Sequence, residues 1–143
     1  MAEVTETTTK TNWLLATENR RSAVIIPLWS LAITAIYAQA LFQRAYLTPF
    51  DYGLVAAICF AAGAIIMDLG RALLNYVASM AIATFLLLTI LSYPATTTYL
   101  PPPGGLLFSS LWVAVIFTAI FPLPLIAYLI AAVVGAAAGE KYF

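Results

Sequence analysis

Hydrophobic residues dominate the stretch 52–93, which is interrupted near its middle by the four residues from Asp68 to Arg71. As a single helix this stretch would be about 60 Å long, at ~1.5 Å per residue. The hydrocarbon core of a bilayer is only about 30 Å thick. The pattern therefore predicts a helical hairpin that crosses a membrane twice, with its two charged residues at the turn.

The other hydrophobic runs divide the rest of the chain. Residues 1–21 form a polar N-terminal tail in which residues 13–18 predict a short helix lying at the membrane interface, because Trp13 suits a surface that is apolar on one side and wet on the other. A disordered tail is the alternative. The bundle itself is predicted over residues 22–143, with spans at about 22–42, 52–67, 72–92 and 106–139.

The last hydrophobic run is too long for one straight crossing, and residues 121–125, with the sequence FPLPL, interrupt it. One interpretation is a single long helix that is kinked at the prolines. The other is a turn between two short spans, which would give five crossings. Turns in water usually carry polar residues, and this one has none, so we favour the kinked helix. The sequence thus predicts an all-α integral membrane protein, a bundle of four transmembrane helices with five as the alternative.

The connections between spans carry residues typical of caps and turns. A loop is predicted over residues 45–51, with Asp51 capping a helix that begins at Tyr52. Gly70 is expected to supply a positive φ angle at the hairpin turn. The proline-rich stretch 93–105 predicts a stiff, extended surface segment, which serves as a spacer or as a docking surface for a partner.

Charge then predicts orientation, because lysine and arginine accumulate on the cytoplasmic side of membrane proteins. With four crossings, five of the six basic residues fall on one side of the membrane and only Arg44 falls on the other. We therefore expect both termini in the cytoplasm of a protein of the cell membrane, with residues 96–98 outside. The five residues on the cytoplasmic side are Lys10, Arg20, Arg21, Arg71 and Lys141.

Composition supports the membrane class and narrows the chemistry. The chain is 64% hydrophobic and only 8% charged, whereas a soluble domain is about 25% charged. Zero net charge and the lack of a long basic run argue against nucleic acid as a partner. The chain has no histidine and one cysteine, Cys59, so the usual ligands of haem, copper and catalytic zinc are missing and no cofactor is predicted.

Three groups of residues are candidates for a functional role. Asp68 and Arg71, three residues apart, can form an ion pair; it would be a proton or ion relay if deep in the membrane, but the short second span favours a structural turn at the interface. A second group consists of polar residues inside the spans, which could line a path but more often hydrogen-bond neighbouring helices. Its members are Gln39, Asn75, Ser79 and Thr84.

The third group is a row of small residues spaced four apart in the last hydrophobic run, and it ends in a GxxxG motif. Such a row predicts a close helix contact, either within the bundle or with another subunit. The row consists of Ala127, Ala131, Gly135 and Gly139.

These patterns favour a non-catalytic subunit of a larger membrane complex, for example a respiratory, oxidase or transport complex, with lipid and other membrane subunits as partners. The alternative is a self-associating channel or transporter, whose path is lined by the polar residues of the first and third spans. An enzyme acting on lipid at the interface would rest on Asp51, Asp68 and Arg71 alone. The sequence offers no nucleophile–base arrangement, phosphate loop or metal-ligand spacing, so we do not expect an enzyme.

Overall fold

The computed structural model describes the backbone of residues 2–96 and 104–143, and the side chains of residues 16–93 and 104–143. The described residues form five helices and no strand. They are α1 (Ala2–Arg44), α2 (Pro49–Ile66), α3 (Leu69–Thr96), α4 (Gly104–Ile120) and α5 (Leu123–Tyr142). Residues 97–103, which include most of the predicted proline-rich segment and two of the three residues predicted outside the membrane, lie beyond the described part.

Four of these helices are long and apolar enough to cross a membrane, which confirms the prediction of an all-α protein with four such helices. They are α1 over Ala16–Arg44, α2, α3 over Leu69–Tyr93 and α5, whereas α4 is a shorter apolar helix. The short helix expected over residues 13–18 is not a separate element, because α1 runs without a break from Ala2 to Arg44. The contacts of the Trp13 side chain lie outside the described residues.

The N-terminus of α2 lies three residues before the predicted one. The helix begins at Pro49, whose fixed φ angle suits the first helical position, and Thr48 is its N-cap. Asp51, which was expected to precede the helix, is its third residue. The Asp51 carboxylate accepts hydrogen bonds from the backbone N–H of Thr48 (2.8 Å) and from its hydroxyl (2.7 Å). A residue inside the first turn thus bonds the N-cap residue and stabilises the N-terminus of the helix.

The predicted hairpin turn between α2 and α3 is present, but a different residue makes it. Met67, not Gly70, has the positive φ angle (57°), and its N–H donates to the carbonyl of Gly63 (3.2 Å). Gly70 lies in the first turn of α3. The Asp68 carboxylate accepts from the N–H groups of Gly70 (2.9 Å) and Arg71 (3.3 Å), so Asp68 caps the start of α3.

The prediction of one long kinked helix over residues 106–139 is wrong, because the chain forms two helices there. Helix α4 ends at Ile120 and α5 begins at Leu123. Pro122 and Pro124 both lack the N–H group that a continuous helix would need at these positions. The two helices also pack on different partners, since α4 lies mainly against α3 and α5 mainly against α2.

Contacts between helices show how the ends of the bundle are arranged. Arg71 and Asn75 of α3 contact Glu18 and Ser22 of α1, so these two helices run parallel. Phe143, which follows α5, lines the same groove as Arg20 and Arg21 of α1. The start of α3, the end of α2 and the end of α5 therefore meet at one end of the bundle, here called the Arg71 end.

The opposite end, here called the Arg44 end, contains the connection between α1 and α2. There the Arg44 guanidinium lies 3.4 Å from the Asp51 carboxylate. Between the two ends, buried apolar side chains from all five helices form one core. Its largest fully buried members are Trp29, Tyr37, Tyr128, Ile33, Leu41, Leu87, Leu91 and Ile116.

Candidate functional site

The predicted small-residue face of α5 packs against α2 of the same chain. Gly135 and Gly139 are buried, and a Cβ atom added to Gly135 would lie 2.8 Å from the backbone carbonyl carbon of Phe60. The same atom on Gly139 would lie 2.9 Å from that of Ala64. Ala131 is half-buried and Ala127 is exposed. The contact thus includes Gly135 and Gly139, the GxxxG end of the predicted row, but not Ala127 at its beginning.

The row that forms this contact differs in phase from the predicted one. Its members on α5 are Ala132, Gly135, Ala136 and Gly139, which are all buried. Gly63 on α2 completes the contact, because a Cβ atom there would lie 2.9 Å from the carbonyl carbon of Ala132. Sequence reasoning missed Gly63, although its position in the run Ala61–Ala62–Gly63–Ala64 signals a close approach of another backbone.

The polar residues predicted as a path are used separately. Asn75 and Ser79 are buried at the seam between α1 and α3, where the Asn75 amide donates to the Ser22 hydroxyl (3.1 Å) and the Ser79 hydroxyl donates to the carbonyl of Ile26 (3.4 Å). The Thr84 hydroxyl donates to the carbonyl of Met80 in its own helix (2.8 Å). The bonds of Asn75 and Ser79 between helices stabilise the bundle, whereas that of Thr84 satisfies its hydroxyl within its own helix.

Gln39 lies apart from that seam. Its side chain is exposed on α1, inside the apolar span Ala16–Arg44. It makes no hydrogen bond with any residue whose side chain the structure describes. The structure therefore brings Asn75 and Ser79 together and leaves Gln39 on the outer surface of the bundle.

The predicted pair of Asp68 and Arg71 belongs to a larger charged cluster at the Arg71 end. The Arg71 guanidinium lies 3.0 Å from the Glu18 carboxylate of α1 and 3.8 Å from the Asp68 carboxylate, and it donates to the Asn19 side chain (3.4 Å). Because Asp68 also caps α3, the cluster fastens the start of α3 to α1. Sequence reasoning missed Glu18, which lies 53 residues before Arg71.

A cluster of tyrosine hydroxyls, which no pattern in the sequence indicated, lies where α4 ends and α5 begins. The hydroxyls of Tyr37 and Tyr128 are hydrogen-bonded to each other (2.8 Å), and that of Tyr37 also donates to the carbonyl of Ala119 (3.4 Å). The Tyr76 hydroxyl donates to the carbonyl of Leu125 (2.6 Å). Buried tyrosines thus bond backbone carbonyls at a place where the helix is interrupted.

A groove lies between α1 and α2 at the Arg71 end, with a volume of about 780 Å³. A second cavity of about 200 Å³ extends it along the same two helices and shares Ile25, Ala61 and Ile65 with it. Together they are called here the α1–α2 groove. The larger part is lined by Thr17, Arg20, Arg21, Val24, Ile25, Ala61, Ala64, Ile65, Met67 and Phe143.

Comparison with protein-family models, with curated proteins and with solved structures finds no match for this chain. Among residues 16–93 and 104–143, no three histidine, cysteine, aspartate or glutamate side chains lie close enough to hold a metal ion.

Proposed function

We propose that this protein is a small non-catalytic subunit of a larger membrane protein complex and that it binds a neighbouring subunit through the face of α1 around Gln39. The observation that supports this proposal is the exposed Gln39 amide. A glutamine side chain offers two donors and an acceptor, and in hydrocarbon no water is present to bind them. A polar group on a facing helix would satisfy this amide.

The residues around Gln39 suit close contact with another helix. Leu31, Ala35, Gln39 and Phe42 are exposed and lie on one side of α1, here called the Gln39 face. Ala35 lies one helical turn before Gln39, and its small side chain lets a second backbone approach. Close packing together with a hydrogen bond between helices is the usual source of attraction inside a membrane.

The buried polar groups of the bundle support a structural role. Asn75 and Ser79 are both used in bonds that fasten α3 to α1. A self-associating channel or transporter is the second candidate, since several copies could turn their Gln39 faces toward a common axis. Gln39 would then line the path, and Asn75 and Ser79 would keep their structural bonds.

We also propose that the Arg71 end faces the cytoplasm of the cell. Arg20, Arg21, Arg71 and Lys141 lie at this end, and Arg44 lies at the other. This asymmetry follows the positive-inside rule. It agrees with both termini lying on the cytoplasmic side.

The test is to purify the tagged protein from its native membrane in mild detergent, and to compare the wild type with Gln39→Leu. We expect a foreign membrane subunit at a fixed stoichiometry with the wild type and several-fold less of it with the variant. Leucine suits the membrane at least as well as glutamine, so insertion should be unchanged. A photo-crosslinking amino acid at position 39 should join the same subunit.

Thr89→Val on α3 is the matched control, because Thr89 is exposed in a span but its hydroxyl already bonds the carbonyl of Phe85 (2.8 Å). This variant should retain the partner. A homo-oligomer that depends on Gln39 would favour the channel instead. Recovery of the same monomer from wild type and Gln39→Leu, with no crosslink at position 39, would contradict both proposals.

A further inference from the structure

The α1–α2 groove combines apolar walls with two arginines at its mouth. Val24 and Ile25 of α1 face Ala61 and Ile65 of α2 across the groove. Arg20 and Arg21 lie one turn before Val24, at the Arg71 end of the bundle. The volume of its larger part, about 780 Å³, falls within the range of roughly 300–1,000 Å³ that is typical of ligand sites.

The two arginines differ from the third arginine at this end. Arg71 is held by the carboxylates of Glu18 and Asp68, at 3.0 and 3.8 Å. Arg20 and Arg21 are exposed and make no ion pair with any residue whose side chain the structure describes. Their guanidinium groups can therefore bind an external anion, and the planar guanidinium suits the oxygens of a phosphate particularly well.

The position of the groove identifies the kind of anion. Its walls belong to spans that contact lipid, so an acyl chain can enter from the side, between α1 and α2. Its mouth lies at the end of those spans, where lipid phosphates are found, and basic pockets between helices at this level are typical sites for anionic head groups. A free phosphate ion would contact the arginines but leave the apolar walls empty.

We propose that the α1–α2 groove binds an anionic glycerophospholipid. Arg20 and Arg21 hold its phosphate, and one acyl chain lies along Val24, Ile25 and Ile65 toward the smaller cavity. This inference does not depend on the proposed function, because the groove and the Gln39 face involve different residues.

The test is lipid binding to the full-length protein in detergent, measured by native mass spectrometry with palmitoyl-oleoyl phosphatidylglycerol. Phosphatidylcholine with the same chains is the zwitterionic reference. We expect preferential binding of phosphatidylglycerol and a roughly fivefold loss of affinity for each of Arg20→Gln and Arg21→Gln, as for one basic residue at a lipid surface. Lys141→Gln, which removes a charge at the same end but outside the groove lining, should bind as the wild type does.

A second variant tests the apolar part of the site. Ala61 lines both cavities and is exposed within the groove, so Ala61→Phe should fill the groove and weaken the binding of phosphatidylglycerol with both arginines in place. Soluble glycerophosphoglycerol, which has the head group without the chains, should not compete at the same concentration.

Equal binding of the two lipids, or equal loss with Lys141→Gln and the arginine variants, would overturn the proposal. So would full competition by glycerophosphoglycerol, since the site would then be one for free phosphate esters. Helix content measured by circular dichroism identifies any variant that fails to fold, and either arginine variant or Ala61→Phe is then sufficient for the decision.

Discussion

At the scale of single residues, the close packing of α5 on α2 depends on three glycines. Gly63, Gly135 and Gly139 each bring their backbone to a distance at which a methyl group would meet the backbone of the other helix. Helices in lipid gain no hydrophobic free energy from association, so such backbone contacts supply the attraction. The contact is made within one chain, and it fixes the position of α5 in the bundle.

Gly135→Leu is expected to separate α5 from α2, because even its Cβ atom would overlap the carbonyl group of Phe60. Forcing extra atoms into a well-packed contact costs about 1–3 kcal/mol of stability. The midpoint of thermal unfolding in detergent should fall, while the amount of protein in the membrane stays the same. Ala127→Leu is the control, since Ala127 is exposed. Equal midpoints for the two variants would show that the contact at Gly135 tolerates a side chain.

The sequence predicted only the Gly135 and Gly139 part of this contact, and helix geometry explains why. Residues four apart in a helix with about 3.6 residues per turn drift around its axis by about 40° per step, so Ala127 lies about 120° from Gly139. A row with this spacing therefore cannot stay on one narrow face through three steps. The spacing alone does not show which part of the row meets another helix. The role of Gly63 in the contact is visible only when α2 lies beside α5.

At the scale of helices, the charged turn and the proline pair each end a helix, but the sequence predicted only the turn. Asp68 and Gly70 lie at a charged interruption of the apolar run. Charges are unfavourable in hydrocarbon, so this interruption indicates a turn between two spans. Pro122 and Pro124 lie in an apolar context that suits either a kink or a break. The break coincides with contacts to distant residues, such as the hydrogen bond from the Tyr37 hydroxyl to the carbonyl of Ala119, which no local pattern contains.

The role of Asp68 as a helix cap leads to a prediction for its variants. Asp68→Asn should cost only a few tenths of a kcal/mol, because asparagine caps a helix about as well as aspartate, whereas Asp68→Ala should cost about 1 kcal/mol. Chemical unfolding in detergent measures both. Exchange of the two charges, Asp68→Arg with Arg71→Asp, should not restore stability, since arginine cannot accept the N–H of Gly70 and aspartate at position 71 would face Glu18.

Glu18→Gln tests the other half of this cluster. It should weaken the hold of Arg71 on α1 but leave the cap intact. Because Glu18 and Asp68 share Arg71 as a partner, the stability cost of the double variant with Asp68→Ala should differ from the sum of the two single costs. A folded Asp68→Asn protein that has lost a transport activity would instead favour the relay, and the cap would then be its lesser role.

At the scale of the whole molecule, the number of long apolar helices was predictable and their arrangement was not. Hydrophobic length reports how many helices can span a bilayer, independent of their neighbours. The α1–α2 groove is different, because Arg20 and Ile65 are far apart in the sequence and meet only when α1 and α2 pack. The arginines therefore indicated orientation in the sequence, and their position beside a groove appears only in the fold.

The arrangement of helix ends gives a topology that can be tested at three exposed positions. Tyr46 lies beyond α1 at the Arg44 end, whereas Leu69 and Tyr142 lie at the Arg71 end, and their side chains are 62%, 48% and 74% exposed. Each is replaced by cysteine in a Cys59→Ala background, and intact cells are treated with a membrane-impermeant maleimide. Because α4 and α5 together return the chain to the Arg71 end, we expect Leu69→Cys and Tyr142→Cys to behave alike.

Tyr46→Cys should be labelled in intact cells, and the other two only after the membrane is permeabilised. Labelling of only Leu69→Cys and Tyr142→Cys in intact cells would be consistent with the fold but would show that the Arg71 end faces outside. Labelling of Tyr142→Cys together with Tyr46→Cys would place the end of α5 on the opposite side from the α2–α3 turn, which the shared groove of Phe143 and Arg20 does not allow.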